Sequence, residues 1–127
     1  MKYLGIDYGK ERIGIAVSDD NGQIAFPLQT IPGKNPFALI TDIAQKEKVN
    51  KIVLGLPVPF SGDASKQTIE IKKIAAKLKK TTGLEVEFEN EALTTKLAKK
   101  EGIPEKHLDK AAAAIILQSY LDKKNRK

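Results

Sequence analysis

The sequence predicts an α/β domain: one five-stranded mixed sheet flanked by helices. Three observations predict it. The first 31 residues hold three short apolar runs separated by turn residues, the pattern of an antiparallel meander. The middle of the chain then alternates helical and strand periods, which calls for parallel βα units. The C-terminal stretch is an alanine-rich helix, apolar nearly all round, which implies deep packing against the sheet. With 127 residues the chain is expected to form a single domain, 1–127, large enough to bury a core.

Lys2–Asp7 reads as strand one. Arg12–Ser18 is strand two, with Ile13, Ile15 and Val17 alternating against Gly14 and Ala16. Asp19-Asp20-Asn21-Gly22 is a turn signal, and Ala25–Ile31 follows as strand three, with Pro27 pointing to a sheet edge. Pro36–Lys48 carries Phe37, Ile40, Ile43 and Ala44 at helical spacing. Lys51–Leu56 is a continuous apolar run of the kind buried on both faces. Asp63–Thr82 is a long helix with Ile71, Ile74, Ala75 and Leu78 as its apolar stripe, ended by Gly83. Glu85–Glu89 is strand five, Leu93–Lys100 a short helix, and about Asp109–Lys123 the last helix. This order of elements matches the ribonuclease H-like fold.

Composition narrows the chemistry. There are no cysteines, which excludes disulfides, thiolate zinc sites and cysteine nucleophiles. No apolar run approaches the roughly 18 residues a membrane span needs, and the chain opens directly on a strand pattern, so a cytoplasmic location is expected. The net charge of +6, from 22 Lys+Arg against 16 Asp+Glu, favours a polyanionic partner.

In an open α/β sheet, ligands gather at the carboxyl ends of the parallel strands. Asp7 ends strand one, Asn90-Glu91 follows strand five, and Asp109 can lean over the same edge from the last helix. Three converging carboxylates would repel one another unless cations held them, and magnesium suits an all-oxygen site. Two such ions about 4 Å apart could bind the attacking water and the leaving oxygen of a phosphodiester. Bland alternatives stand beside each residue: a turn hydrogen bond for Asp7, an N-cap for Asp109, a solvated loop position for Glu91, with Glu89 as the substitute ligand. Arg12, Lys96, Lys99 and Lys100 are candidates for gripping nucleic acid. His107 could assist proton transfer or be a plain surface residue. Lys72, Lys73, Lys77, Lys79 and Lys80 read as a solvated helix face.

Leu4-Gly5-Ile6-Asp7-Tyr8-Gly9 with Arg12-Ile13-Gly14-Ile15-Ala16-Val17-Ser18-Asp19 resembles the N-terminal signature of the YqgF/RuvX family. Ala25-Phe26-Pro27-Leu28, Val53-Leu54-Gly55-Leu56-Pro57, Glu91 with Leu93-Thr94-Thr95, and Asp109 with Ala111-Ala112 and Ile115 to Leu121 resemble its remaining blocks, in order. The resemblance implies a ribonuclease H-like nuclease, with Asp7, Glu91 and Asp109 as catalytic metal ligands for Mg²⁺ or Mn²⁺, as two ions. It implies action in 5′-end maturation of pre-16S rRNA or, alternatively, resolution of Holliday junctions. The family's Asp-Glu-Arg stands here as Asn90-Glu91-Ala92, an amide and a methyl in place of a carboxylate and a guanidinium. That departure motivates a further alternative, a nucleic-acid-binding homologue with weakened catalysis. A monomer or weak homodimer is expected. A phosphate-binding ATPase of the actin type also opens on strand, Asp and Gly, but such enzymes close two lobes and this length supplies one.

Overall fold

The computed structural model describes residues 1–56, 65–90 and 105–126. Five strands form one sheet in the order β3-β2-β1-β4-β5: β1 (Tyr3–Asp7), β2 (Arg12–Ser18), β3 (Ala25–Pro32), β4 (Lys51–Leu56) and β5 (Glu85–Asn90). Three helices complete the described fold: α1 (Phe37–Glu47), α2 (Ser65–Thr82) and α3 (Glu105–Asn125). The antiparallel meander β1-β2-β3 and the parallel set β1-β4-β5 are those the sequence predicts, and they share β1.

Each strand is held by its apolar alternation. Leu4, Ile6, Ile13, Ile15, Ile52 and Leu54 point to the back of the sheet. There they meet Ile40 and Ala44 from α1 and Ile71, Ile74, Ala75 and Leu78 from α2. Tyr3, Ala16 and Val53 point to the front, against Ala113, Ile116, Leu117 and Leu121 of α3. Burying each large aliphatic side chain contributes about 1.5–3 kcal/mol, so these two layers fix strand register on both faces. β1 lies at the centre and its residues Tyr3 to Ile6 are all buried.

β3 is an edge strand, as Pro27 suggested. Ile15 pairs with Gln29 and Ala16 with Pro27, so Leu28 is an extra residue in a bulge. Proline, which has no N–H to give to a ladder, is tolerated at such a position. Gly83, at φ 74°, follows the end of α2 as expected.

One expected boundary moves. The last helix starts at Glu105 and not near Asp109, so Asp109 is its fifth residue and does not cap it. Pro104-Glu105 in the sequence is the start signal, a proline followed by an acid where the helix dipole favours one. The expected helix Leu93–Lys100 and residues 57–64 and 91–104 lie outside the described residues.

α3 lies close on the front of the sheet because the facing residues are small. A Cβ on Gly5 would come within 2.8 Å of the Leu117 Cβ, and one on Gly14 within 1.8 Å of the Asp109 carbonyl oxygen. The helix contributes Ala113 to the same contact, and Ala112 beside it is also buried. Gln118 fixes its far half: its Oε1 accepts from the Ala25 N–H at 2.8 Å, and its Nε2 donates to the Gln23 carbonyl at 2.9 Å.

Candidate active site

Asp7 is the last residue of β1 and half-buried. Side chains alternate along a strand, so Asp7 shares the front face with Tyr3 and Gly5. Its partner across the antiparallel ladder is Gly14 of β2. Paired residues point the same way, with Cα atoms about 4.5–5.5 Å apart. The space a Gly14 side chain would fill is taken by the backbone of Asp109, whose carbonyl carbon lies 2.2 Å and whose oxygen lies 1.8 Å from that Cβ position. Asp7 and Asp109, 102 positions apart in the numbering, therefore flank one glycine.

The geometry follows from local sequence. The Leu4 and Ile6 side chains lock β1 from behind, which sets the height of Asp7. Ala113 and Leu117 anchor α3 from the front, and Asp109 lies one helical turn before Ala113 on the same side. The Asp109 side chain is 24% exposed, and its Oδ2 accepts from Arg12 Nε at 2.8 Å. Arg12 begins β2 and its side chain is 55% exposed. Sequence reasoning put Arg12 beside the site as a phosphate contact; the structure ties it to a candidate ligand.

Asp7 and Asp109 supply only carboxylate oxygen, the donor type that hard divalent cations such as Mg²⁺ and Mn²⁺ take. Glu91 follows directly on β5 and lies outside the described residues, as do Lys96, Lys99 and Lys100. Among the described residues no group of three acids, histidines or cysteines could hold a metal ion. Two carboxylates are a donor type that a hard cation accepts.

Glu89, the substitute ligand considered from sequence, is 6% exposed and pairs in register with Gly55. Ser119 Oγ donates to its Oε2 at 2.8 Å and Lys123 Nζ at 2.7 Å. Both bonds run to α3, so Glu89 is a strut joining β5 to that helix. Glu87 forms a second strut, accepting a hydrogen bond from the Tyr120 hydroxyl. That bond, aided by Lys51, holds the Glu87 carboxyl below its ordinary range against the opposing effect of burial. Burial first, and then Glu87, pushes the Tyr120 hydroxyl up. Tyr8, next to Asp7, is also pushed up, by burial and then by the charge of Glu70, so it stays neutral at physiological pH.

Sequence reasoning missed Gly14 as the residue that admits the Asp109 backbone beside the strand position paired with Asp7. The available signal was a glycine inside a strand, which marks either a bulge or a close backbone approach.

Comparisons with known proteins point to one family and one fold. A family model described as "RuvX: Holliday junction resolvase" matches residues 1–123. A protein of Rickettsia typhi named "Putative pre-16S rRNA nuclease" is 41% identical over 130 residues, covering 94% of this chain and 83% of its own. A protein of the same name from Syntrophus aciditrophicus is 36% identical over 133 residues, covering 96% of this chain and 89% of its own. Among solved structures, Thermus thermophilus RuvC in complex with a Holliday junction substrate is similar with a TM-score of 0.62. It is 15% identical, and the match covers 98% of this chain and 96% of that one, which supports the ribonuclease H-like fold.

Proposed function

The chain belongs to the RuvX family, and from that premise we propose that it is a divalent-metal-dependent nuclease acting on precursor 16S rRNA. The observation that supports the reading is that Gly14, paired with Asp7 at the carboxyl end of the central strand, has the Asp109 backbone packed against it. The choice of an RNA substrate rests on the two relatives named for pre-16S rRNA, at 41% and 36% identity.

Asp7 and Asp109, with Glu91, would hold Mg²⁺ or Mn²⁺. When bound, such an ion lowers the pKa of a water and stabilises charge on a phosphoryl oxygen. The chain's own residues set up that chemistry. Asp7 is fixed by the buried strand behind it, so its carboxylate needs little reorganisation to act. Arg12 orients the Asp109 carboxylate through Oδ2, leaving Oδ1 for another partner. With its side chain 55% exposed, Arg12 can also meet a backbone phosphate in a charge-assisted hydrogen bond. The reaction is hydrolysis of a phosphodiester: water attacks phosphorus in line, one P–O ester bond breaks, and the leaving oxygen takes up a proton.

A Holliday-junction substrate is the second reading, supported by the description of the family model. It would require two matched active sites about a two-fold axis. One experiment separates the readings. Wild type and Asp7→Asn are incubated with a pre-16S 5′ leader RNA and with a four-way DNA junction, in Mg²⁺ and in Mn²⁺. The proposal expects the RNA to be cut by wild type only, with both proteins equally folded by circular dichroism. Cutting of the junction alone selects the second reading. Binding of both without cleavage selects a non-catalytic homologue, and unchanged cleavage by Asp7→Asn rules out the metal site.

A further inference from the structure

Much of the net positive charge of this protein lies on one helix away from the candidate site. α2 contains Lys66, Lys72, Lys73, Lys77, Lys79 and Lys80 against Glu70, a net +5 in a chain whose total is +6. The helix packs on the back of the sheet, whereas Asp7 and Asp109 lie on the front. β5, by contrast, carries Glu85, Glu87 and Glu89 and no cation. Among the described residues, the largest cluster of unbalanced positive charge thus lies on the face opposite the aspartates.

We propose that the solvent face of α2 is a second nucleic-acid surface, one that binds the phosphodiester backbone without regard to sequence. Ile71, Ile74, Ala75 and Leu78 face the core. At 3.6 residues per turn, Lys72, Lys73, Lys79 and Lys80 fan across the opposite half of the helix, spanning about 12 Å of its axis. All four are exposed, and none pairs with a carboxylate among the described residues. Lys77 differs: its Nζ lies 4.4 Å from the centre of the Phe37 ring, which anchors it to α1.

Helix stability accounts for only part of this pattern. Lys79 and Lys80 lie in the last turn, where the helix dipole favours cations. Lys72 and Lys73 lie mid-helix, and Lys73 faces Lys77 one turn on, a like-charge pair that opposes the helix. A solubilising surface does not need such segregation, because mixed charges serve it equally well. A row of flexible point charges outnumbering the one acid of its helix, Glu70, and unpaired with it matches a polyphosphate backbone, since its binding releases condensed counter-ions. The inference goes beyond the nuclease reading, because this face would bind a backbone whether or not the front site cuts it. A long substrate engaged on both faces would have to pass round an edge of the sheet.

The test uses the full chain carrying Asp7→Asn, so that cleavage does not consume the probe. A second protein adds Lys72→Gln, Lys73→Gln, Lys79→Gln and Lys80→Gln, and a third carries arginine at those four positions. Anisotropy titrations use single-stranded RNA of about 10 and about 40 nucleotides over a range of salt, where each lost phosphate contact lowers the log–log slope by about 0.7. The glutamine protein should lose at least about tenfold in affinity for the longer RNA and about 3 units of slope, with the arginine protein at the parent value. A DNA duplex of matching length should report the same loss, because the backbone is shared. An unchanged slope on the longer RNA, with the helix intact by circular dichroism, overturns the proposal. So does loss confined to anionic phosphatidylserine vesicles, which would make the face a membrane contact. If the Asp7→Asn parent binds neither RNA nor DNA, the nuclease reading fails as well, so the two failures are distinguishable.

Discussion

Gly14→Ala is the most direct probe of how this fold builds its site. The added methyl would sit 1.8 Å from the Asp109 carbonyl oxygen, 2.2 Å from its carbon and 2.8 Å from the Lys110 nitrogen. All three are backbone atoms, so no rotamer change relieves the clash. Reaching ordinary van der Waals contact requires the start of α3 and β2 to separate by about 1.5 Å, an overpacking of the kind that costs ~1–3 kcal/mol. Part of that is offset, because alanine gains roughly 0.5–1 kcal/mol over glycine in a strand. The net loss should be about 0–2 kcal/mol, and the protein should fold. Catalysis should suffer far more, since a displacement of about 1 Å in a catalytic group can cost on the order of 100-fold. The assay is kcat on the leader RNA beside a urea melt, with Gly5→Ala as the comparison. There the nearest atom is the Leu117 Cβ at 2.8 Å, a smaller clash further along the helix. Gly14→Ala should therefore lose at least about 100-fold in kcat while Gly5→Ala keeps most of its activity. Equal kcat for Gly14→Ala and wild type would refute the claim that this contact sets the distance between Asp7 and Asp109.

Two further outcomes are expected. Arg12→Ala breaks a half-exposed ion pair and should change stability by less than about 1 kcal/mol, yet lower cleavage at least about tenfold; Arg12→Lys should not restore it, because it lacks the planar fork. Wild-type kinetics in Arg12→Ala would remove Arg12 from the site. Tyr120→Phe tests the strut to β5 through its pH dependence. Glu87 has its folded pKa lowered from 4.5, so its contribution to stability is present above that value and is lost as pH falls below it. Tyr120 has its folded pKa raised from 10.0, so its contribution is present below that value and is lost as pH rises above it. The difference in melting temperature between wild type and Tyr120→Phe should be widest near neutrality and shrink at both extremes. A difference independent of pH would mean the hydroxyl does not bond the carboxylate.

Much of this protein is legible from its residues alone. The period-two alternation of Ile13, Ile15 and Val17 fixes which face of β2 is buried. The unbroken apolar run Ile52-Val53-Leu54 marks a strand covered on both sides, and Pro27 marks an edge. The strand-end position of Asp7 follows from the same pattern, because periodicity is a local property that any window of sequence displays. The start of α3 was harder. Asp109 has the chemistry of a cap and competes with Pro104-Glu105 as a start signal, and the backbone begins the helix at Glu105. Three things were decided by tertiary structure. Gly14 admits the Asp109 backbone, Glu89 is a strut to Ser119 and Lys123, and the lysines of α2 lie on the face away from the aspartates. Each is a contact or a separation between segments far apart along the chain. Sequence patterns report which side of an element is buried; they do not report which residue of a distant element arrives there, and that pairing is set only when both cores close on the sheet.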